Sequence, residues 1–559
     1  MIYKRRDAIC GLLISTASNT STSLFLKAFE RIKHRGPNTS SVWGITEDRT
    51  VVKDVNSTTS RSFDFMIGHH RLEVTGDISC IQPFVFDHKA LMFNGEIYNY
   101  KIIREKLTKL GYLFSTNGDT EVVAISYKHW GYKCFSMFEG MWAIVIIDLK
   151  NKSMITSRDP LGVKPLYYSN VGKGFIISSE IKSIIPLTKR SDINVNSIKD
   201  YLIYGAQETT CETSFKEIFR IEPGFVQKFS ESYNHPKIIK KIINKSFNLK
   251  GIYFDDVKRE TMKAIISRVP DNFKIFVPLS SGIDSNIIAG VLYKMGVEFE
   301  SVTCGYTGDP TESELEFVKE VSQKYGFLNH SFRLSYEQLE EHIEKVVYQQ
   351  DEPFDTMGIF AQNFTYKEIS SHGGRVSLDG QGADEMFGGY NTILPPILKE
   401  LLKGNPFSKN FFNLLNNKSA VKIAVASIMP YYFEKMYFRK HSKQIFNSKQ
   451  SFFRSFKEGQ FLFNDLQTRL KNEQINHLRV LLRYLDRNSM HYSIEAREPF
   501  LARGIQEISQ NLTNFQVYHN NYNKYILRTA NQHVIPSQVL EQRKKNGFSV
   551  PQKTWLQSL

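Results

Sequence analysis

An apolar strand that runs into a loop of small residues and then into a helix constrains this chain more than any other stretch. It reads Pro278-Leu279-Ser280-Ser281-Gly282-Ile283-Asp284-Ser285, entered from the strand-like Ile275–Leu279 and left through the helical pattern Ser285–Tyr293. Ile287, Ile288, Val291 and Leu292 recur at helical spacing and give that helix a core face. The alternation continues, with Glu300–Cys304 reading as a strand, Glu312–Tyr325 as a helix and Gly374–Leu378 as a strand. Strands separated by helices pair through crossovers, so the chain from about residue 255 is expected to form a parallel, helix-covered sheet. Ile393–Leu482 is mainly helical in character.

The small residues let the backbone approach a phosphate closely, and the helix start offers free N–H groups and a positive dipole end. Asp284 is placed to hold Mg²⁺ against phosphates, and Ser280 and Ser285 to donate hydroxyl hydrogen bonds. The loop lacks the GxxxxGK[ST] pattern, so it does not predict cleavage at a γ-phosphate. Alone it is also an ordinary strand–helix connection. A second loop, Leu378-Asp379-Gly380-Gln381-Gly382-Ala383-Asp384-Glu385, again follows an apolar strand and leads into Phe387-Gly388-Gly389-Tyr390. Two such loops at one sheet edge make a phosphate and metal site, where plain turns would need neither Asp384 nor Glu385.

Residues from about 10 to 190 read differently, as short β-rich pieces: Val42–Ile45, Phe65–Ile67, Ala90–Phe93, Ala143–Asp148 and Gly174–Ser178. Helical patterns interrupt them near Ser23–Lys33 and Thr120–Trp130. Between about 190 and 255 the text turns polar, and the boundary between the halves is expected there. Two halves also suit 559 residues, too many for one core.

The 72 basic residues exceed the 57 acidic ones, giving +15, much of it from Lys399 to Lys457. No nucleic-acid-binding signature accompanies that charge, which reads as a solvated face; no nucleic-acid partner is expected, and anionic ATP suits the excess. Five scattered cysteines without CxxC spacing predict neither a disulfide framework nor a zinc site, and fit a reducing cytoplasm. Lys4, Arg5 and Arg6 precede an apolar run too short for a secretory signal. No segment approaches the roughly 20 apolar residues of a membrane span, so no membrane association is expected.

The pair SSGIDS and DGQGADEMFGGY resembles the pyrophosphatase-loop ATP site of asparagine synthetases. Gln350-Asp351-Glu352-Pro353-Phe354, Arg487-Asn488-Ser489-Met490, Glu495-Ala496-Arg497-Glu498-Pro499-Phe500 and Arg543-Lys544-Lys545-Asn546-Gly547-Phe548 look like further blocks of that family, in order. The resemblance implies an adenine-nucleotide α-hydrolase-like domain over 255–559, with helical additions. It would activate a carboxylate as an acyl-adenylate, release pyrophosphate and let ammonia displace AMP. Asp284 and Asp384 would hold Mg²⁺. Pro278, Leu279, Ser280, Ser281, Gly282, Asp284, Ser285, Cys304, Asp379 and Gly380 would bind ATP, and Lys545 would stabilise charge in the transition state.

Cys10-Gly11, Arg31…His34-Arg35-Gly36-Pro37-Asn38, His69-His70-Arg71-Leu72, Asn94-Gly95-Glu96-Ile97-Tyr98-Asn99 and Gly118-Asp119-Thr120-Glu121 together look like a class II glutaminase domain. Singly each is weak, since a lone cysteine is more often a core residue and Asn-Gly a turn. The resemblance implies an αββα N-terminal-nucleophile sandwich over 10–230, joined by a linker at 231–254. Cys10 would attack the glutamine amide with its own α-amine as base, and Asn94 and Gly95 would form the oxyanion hole. Arg71 would clamp the glutamine carboxylate, and Glu96 with Asp119 its ammonium group. Asp159–Tyr168 and Ser179–Lys182 would be structural or line a tunnel.

The sequence departs from the family in two places. Nine residues precede Cys10, where the nucleophile is ordinarily the second encoded residue. Residues 1–9 are a leader, a mis-assigned start with translation beginning at Ile9, or a retained extension with a dead glutaminase. The intact glutamine pocket favours a mature terminus at Cys10. Gln381 stands where many asparagine synthetases have glutamate, and Ser281 where they have glycine. Gln381 cannot act as a base, which puts aspartate in question more than adenylation. The leading expectation is asparagine synthesis from aspartate, glutamine and ATP, with a homodimer admitted. The nearest rival amidates another carboxylate, such as a sugar acid, peptide or natural-product intermediate. A non-catalytic relative would have no need of Asp284, Asp384 and Lys545 together, and a cyclase of the β-lactam or lasso type would have none of the glutamine pocket.

Overall fold

The computed structural model describes residues 8–17, 20–56, 58–59, 63–73, 81–151, 153–204, 207–230, 235–242, 251–307, 313–403 and 465–541. Strand Lys89–Ile97 is buried at every position after its first residue. A strand can be buried on both faces only if both are covered. Leu91, Phe93 and Ile97 pack under the helices Tyr100–Lys109 and Asp119–Trp130. Met92 on the opposite face packs with Leu12, Ile14 and Ile67 of a second sheet. That sheet in turn buries Leu13, Met66 and Ile176 under the helices Thr22–Glu30 and Ile181–Thr188. The first half is therefore the expected αββα sandwich, with one seven-stranded and one six-stranded sheet among the described residues.

Period-two alternation then decides where the polar residues point. Cys10 shares a face with Leu12 and Ile14, Arg71 shares one with Ile67, and Asn94 and Glu96 share one with Met92. All four polar side chains thus enter the space between the two sheets. The six-stranded sheet extends into the segment expected to be linker, because Lys237–Lys241 pairs with Phe225–Phe229. Its side chains are mostly exposed, so it carries no apolar signature in the sequence.

The second half contains the expected parallel sheet, in the order Leu328–Leu334, Phe299–Tyr306, Ile275–Pro278, Val376–Leu378, Glu495–Arg497. Every neighbouring pair is parallel. Strand order reverses at Ile275–Pro278, which lies beside Val376–Leu378. The loops leaving the carboxyl ends of those two strands therefore meet at a topological switch point. Within Ile393–Leu482 the helices are Leu394–Lys403, Leu466–Asn472 and Leu478–His491, while 404–464 lies outside the described residues. Among the described residues, no helix is long and apolar enough to cross a membrane.

Buried charges cross the boundary between the halves. Arg220 meets Glu352 through Nη2 at 2.6 and 2.5 Å. Lys182 meets Asp351 at 3.1 Å, and Arg497 Nη2 donates to Glu96 Oε1 at 2.6 Å.

Candidate active sites

In the second half, the Ser280–Ser285 loop is held by its own side chains. Gly282 N–H donates to Ser280 Oγ (3.1 Å), and Asn286 Nδ2 donates to the carbonyls of Ser280 (2.8 Å) and Gly282 (2.7 Å). The helix Ile283–Lys294 starts immediately after Gly282, so its N-terminal amides face the loop. Across the switch point, a Cβ on Gly380 would stand 2.9 Å from Asp284 Cβ, and this approach requires glycine. The two loops open one cavity of about 540 Å³, lined by Pro278, Leu279, Ser280, Gly282, Asp284, Ser285, Cys304, Asp379, Gly380, Gln381 and Asp384. Ser281 departs from that set, because its N–H and hydroxyl turn to Glu314 Oε1 at 3.0 and 3.3 Å.

One residue that sequence reasoning missed sits at the centre. Lys524 Nζ lies 2.8 and 2.6 Å from the two carboxylate oxygens of Asp284 and 2.7 Å from Asp384 Oδ1. Burial alone would lower its pKa, but the two carboxylates outweigh burial and hold it above the ordinary lysine value. No local pattern marks Lys524 in Tyr522-Asn523-Lys524-Tyr525; tertiary folding alone brings it to acids about 240 and 140 positions away. Two carboxylates converging on one cation at hydrogen-bond distance form a hard-oxygen donor pair of the kind that suits Mg²⁺. Asp379 lines the same cavity. Its N–H donates to Arg497 O (3.0 Å) and its Oδ2 accepts from Ser377 Oγ (2.6 Å), while burial pushes its carboxyl up to about 6. Lys545 lies outside the described residues.

In the first half, strand register places Cys10 directly opposite Arg71. Cys10 N–H donates to Asn94 Oδ1 at 3.2 Å. With Ala8 and Ile9 before it in the strand, that nitrogen is a peptide amide with no basic lone pair. Burial pushes the Cys10 thiol far above its ordinary value, against the opposing charge of Arg71, so nucleophilic use requires a base. Asn94 is fully buried, and its Nδ2 has no hydrogen-bond partner among the described residues. Beside it Gly95 has φ +146°, and a Cβ there would stand 2.0 Å from Met141 O. Asn94 Nδ2 is thus a buried donor still to be satisfied, next to a backbone that only glycine permits.

Asp119 Oδ2 accepts from Ile97 N–H at 2.9 Å, and its Oδ1 has no partner among the described residues. Burial pushes this carboxyl well above its ordinary range. A cation near Oδ1 would restore the charged form. Glu96 turns its carboxylate toward Arg497 of the second half, where sequence reasoning had paired it with a ligand ammonium.

Two family models match the chain: a glutamine amidotransferase domain over residues 8–238 and asparagine synthase over residues 256–559. The chain is 27% identical to asparagine synthetase [glutamine-hydrolyzing] 1 of Bacillus subtilis (strain 168), over 88% of this chain and 80% of that protein. It is 24% identical to a putative asparagine synthetase [glutamine-hydrolyzing] of Mycobacterium tuberculosis (strain ATCC 25618 / H37Rv), over 98% of this chain and 89% of that one. Among solved structures, a glutamine phosphoribosylpyrophosphate amidotransferase from B. subtilis aligns at TM-score 0.34 and 16% identity, over 60% of this chain and 92% of that one; nothing rests on that alignment. With the asparagine synthase model matched over more than half its length, this chain belongs to the asparagine synthase family.

Proposed function

We propose that the chain makes asparagine from aspartate, using nitrogen from glutamine and energy from ATP. The observation that carries this reading is the meeting of the Ser280–Ser285 and Asp379–Asp384 loops around Lys524 in one cavity, within a chain that also buries Cys10 against Asn94. In the second half, an aspartate carboxylate oxygen attacks the α-phosphorus of ATP, and the bond to pyrophosphate breaks. The amides at the start of Ile283–Lys294 and the loop hydroxyls receive the negative charge. Asp284 and Asp384 would hold Mg²⁺, which when bound neutralises pyrophosphate charge. Lys545 would supply a further cation. Ammonia then attacks the acyl carbon, AMP leaves and nitrogen sheds one proton.

In the first half, once Cys10 is the first residue, its sulfur attacks the glutamine side-chain carbonyl while its proton passes to the free α-amine, which hands that proton to the amide nitrogen as it leaves as ammonia. Asn94 Nδ2 and the Gly95 N–H receive the oxyanion, Arg71 the substrate carboxylate, and Asp119 the substrate ammonium. Water then hydrolyses the thioester to glutamate. Cytoplasmic action and a homodimer belong to the same proposal; Cys10, Cys134, Cys211 and Cys304, none of them in a disulfide among the described residues, suit a reducing compartment, and mass in solution tests the dimer.

ATP–pyrophosphate exchange across a panel of acids tests the reading, run alongside amide formation with glutamine and separately with ammonium. Stimulation by aspartate above all other acids is expected. An acid that works in place of aspartate would reassign the substrate.

A further inference from the structure

One wall of the ATP cavity has no part in the steps above. It is built from two helices rather than from the phosphate loops: Thr356, Gly358 and Gln362 stand at the start of Gly358–Ser371, and Leu481 and Tyr484 belong to Leu478–His491. Two donors on this wall are already used. Gly358 N–H donates to Thr356 Oγ1 at 3.1 Å, and Tyr484 Oη donates to Gln207 Oε1 at 3.3 Å.

Gln362 is different, because its amide is oriented from behind. Asn488, fully buried, donates through Nδ2 to Ile359 O at 3.1 Å and to Gln362 Oε1 at 2.8 Å. Its Oδ1 accepts from Gln350 Nε2 at 2.9 Å and from Asn363 Nδ2 at 3.1 Å. Both hydrogens and both lone pairs of that amide are therefore engaged. A backbone carbonyl only accepts, so Ile359 O decides which end of Asn488 is nitrogen, and Asn488 in turn decides that Gln362 meets it with oxygen. Gln362 Nε2 is left on the far side of the bond, with no hydrogen bond to any described residue. Gln350, Asn363 and Asn488 are all buried and together fix one donor on a side chain that lines the cavity. Packing the two helices needs the Asn488 bond to Ile359 O; it does not need a donor held open at the end of the network.

We propose that Gln362 binds the non-reacting carboxylate of the acid substrate through Nε2, and that Asn488 is the residue that positions it. The inference rests on the aspartate-dependent reading of the chain. The phosphate loops and Lys524 hold the end of the cavity where one carboxylate meets phosphorus, so the rest of the acid extends along another wall. An amide whose oxygen is engaged can only donate, which selects a carboxylate and rejects an ammonium. Asp355 lines the same wall and offers its charge to the α-ammonium that aspartate carries beside its second carboxylate. That second carboxylate keeps its charge throughout the reaction. The Gln362 contact is therefore equal in the ground and transition states, and acts on binding rather than on the chemical barrier.

The KM values for aspartate and for ATP, measured by pyrophosphate release with ammonium as nitrogen source, test the proposal in variants of the full chain. Gln362→Met keeps the length and loses the donor. It should raise the aspartate KM about tenfold, the scale of one hydrogen bond to a charged group, and leave the ATP KM within about twofold. Gln362→Glu keeps an acceptor for Asn488 but turns an oxygen to the cavity, and should raise the aspartate KM about 100-fold. A packing role predicts the reverse order, since glutamate preserves the bond to Asn488 and methionine does not. Asn488→Asp removes Nδ2, so that Gln362 turns its nitrogen inward and its oxygen to the cavity; the aspartate KM should rise about tenfold. Adding Asn488→Asp to Gln362→Met should raise it no further, because Asn488 acts through Gln362. An unchanged aspartate KM in Gln362→Met, a smaller effect in Gln362→Glu than in Gln362→Met, an equal rise in the ATP KM, or full additivity in the double variant would each overturn the proposal. If Asn488→Asp does not fold, the order of the two Gln362 variants decides. A parent that aspartate does not stimulate would defeat the functional reading instead.

Discussion

Arg35 reaches across the boundary between the halves and grips Asp486 with both terminal nitrogens, Nη1 at 2.7 Å and Nη2 at 3.0 Å, with neither side chain open to solvent. Burial alone would raise the Asp486 carboxyl; the Arg35 charge overrides it and holds it below the ordinary range. Removing one member strands a buried charge, so Arg35→Ala should cost about 3–5 kcal/mol. The double variant with Asp486→Ala should lose less than the sum of the single losses. Chemical denaturation of the set measures both.

The Glu352–Arg220 pair predicts a direction with pH. Burial would raise the Glu352 carboxyl, but Arg220 and Arg483 pull it down to about 2. A folded-state value below the unfolded one of about 4.3 contributes stability above that unfolded value, lost as pH falls toward about 2. The melting temperature of the parent should drop across that window. Glu352→Gln should be less stable at neutral pH and lose less on acidification.

Gly95→Ala forces a Cβ into Met141 O, and Asn94→Ala removes the buried donor. Each should lower glutamine hydrolysis by about 10²–10³. Ammonium-dependent amide formation should survive in both, as measured by amide yield with ammonium in place of glutamine.

While its nitrogen is an amide, Cys10 lacks the free α-amine that would serve as its base. Protein that hydrolyses glutamine should therefore carry Cys10 as its first residue, visible in intact mass. Active protein still bearing residues 1–9 would refute that. Cys10→Ala should abolish hydrolysis and leave ammonium-dependent synthesis in place.

Lys524→Gln removes the cation shared by Asp284 and Asp384. Pyrophosphate exchange should fall on the order of 100-fold, the scale of one lost transition-state donor. Losing the cation that Asp284 and Asp384 share should also make the variant's melting temperature respond more to added Mg²⁺ than the parent's does.

Much of this was readable in advance. The loops at Ser280–Ser285 and Asp379–Asp384 announce themselves because small residues and carboxylates follow apolar strands, and a parallel sheet must bring such ends together. Cys10, Arg71 and Asn94 were legible only as an ordered set of blocks, and two-residue alternation explains why they converge between the sheets. Lys524 was not legible, since nothing local distinguishes it from another lysine. The Glu352, Asp351 and Arg497 blocks carry no role in the sequence alone, because a charge that pairs across a domain boundary has no partner at any regular spacing. Edge strand Lys237–Lys241 escaped because its exposed side chains carry no apolar periodicity.

The ion pairs across the boundary also limit how this chain can be recombined. Arg35, Arg220 and Glu96 each set a buried charge against Asp486, Glu352 and Arg497 of the other half. A hybrid that swaps in a foreign glutaminase would deprive Asp486, Glu352 and Arg497 of their partners across the boundary, however well its backbone fitted. Modular exchange should succeed only when those six positions travel together, which makes them the inheritance unit of the two-headed enzyme rather than either catalytic centre alone.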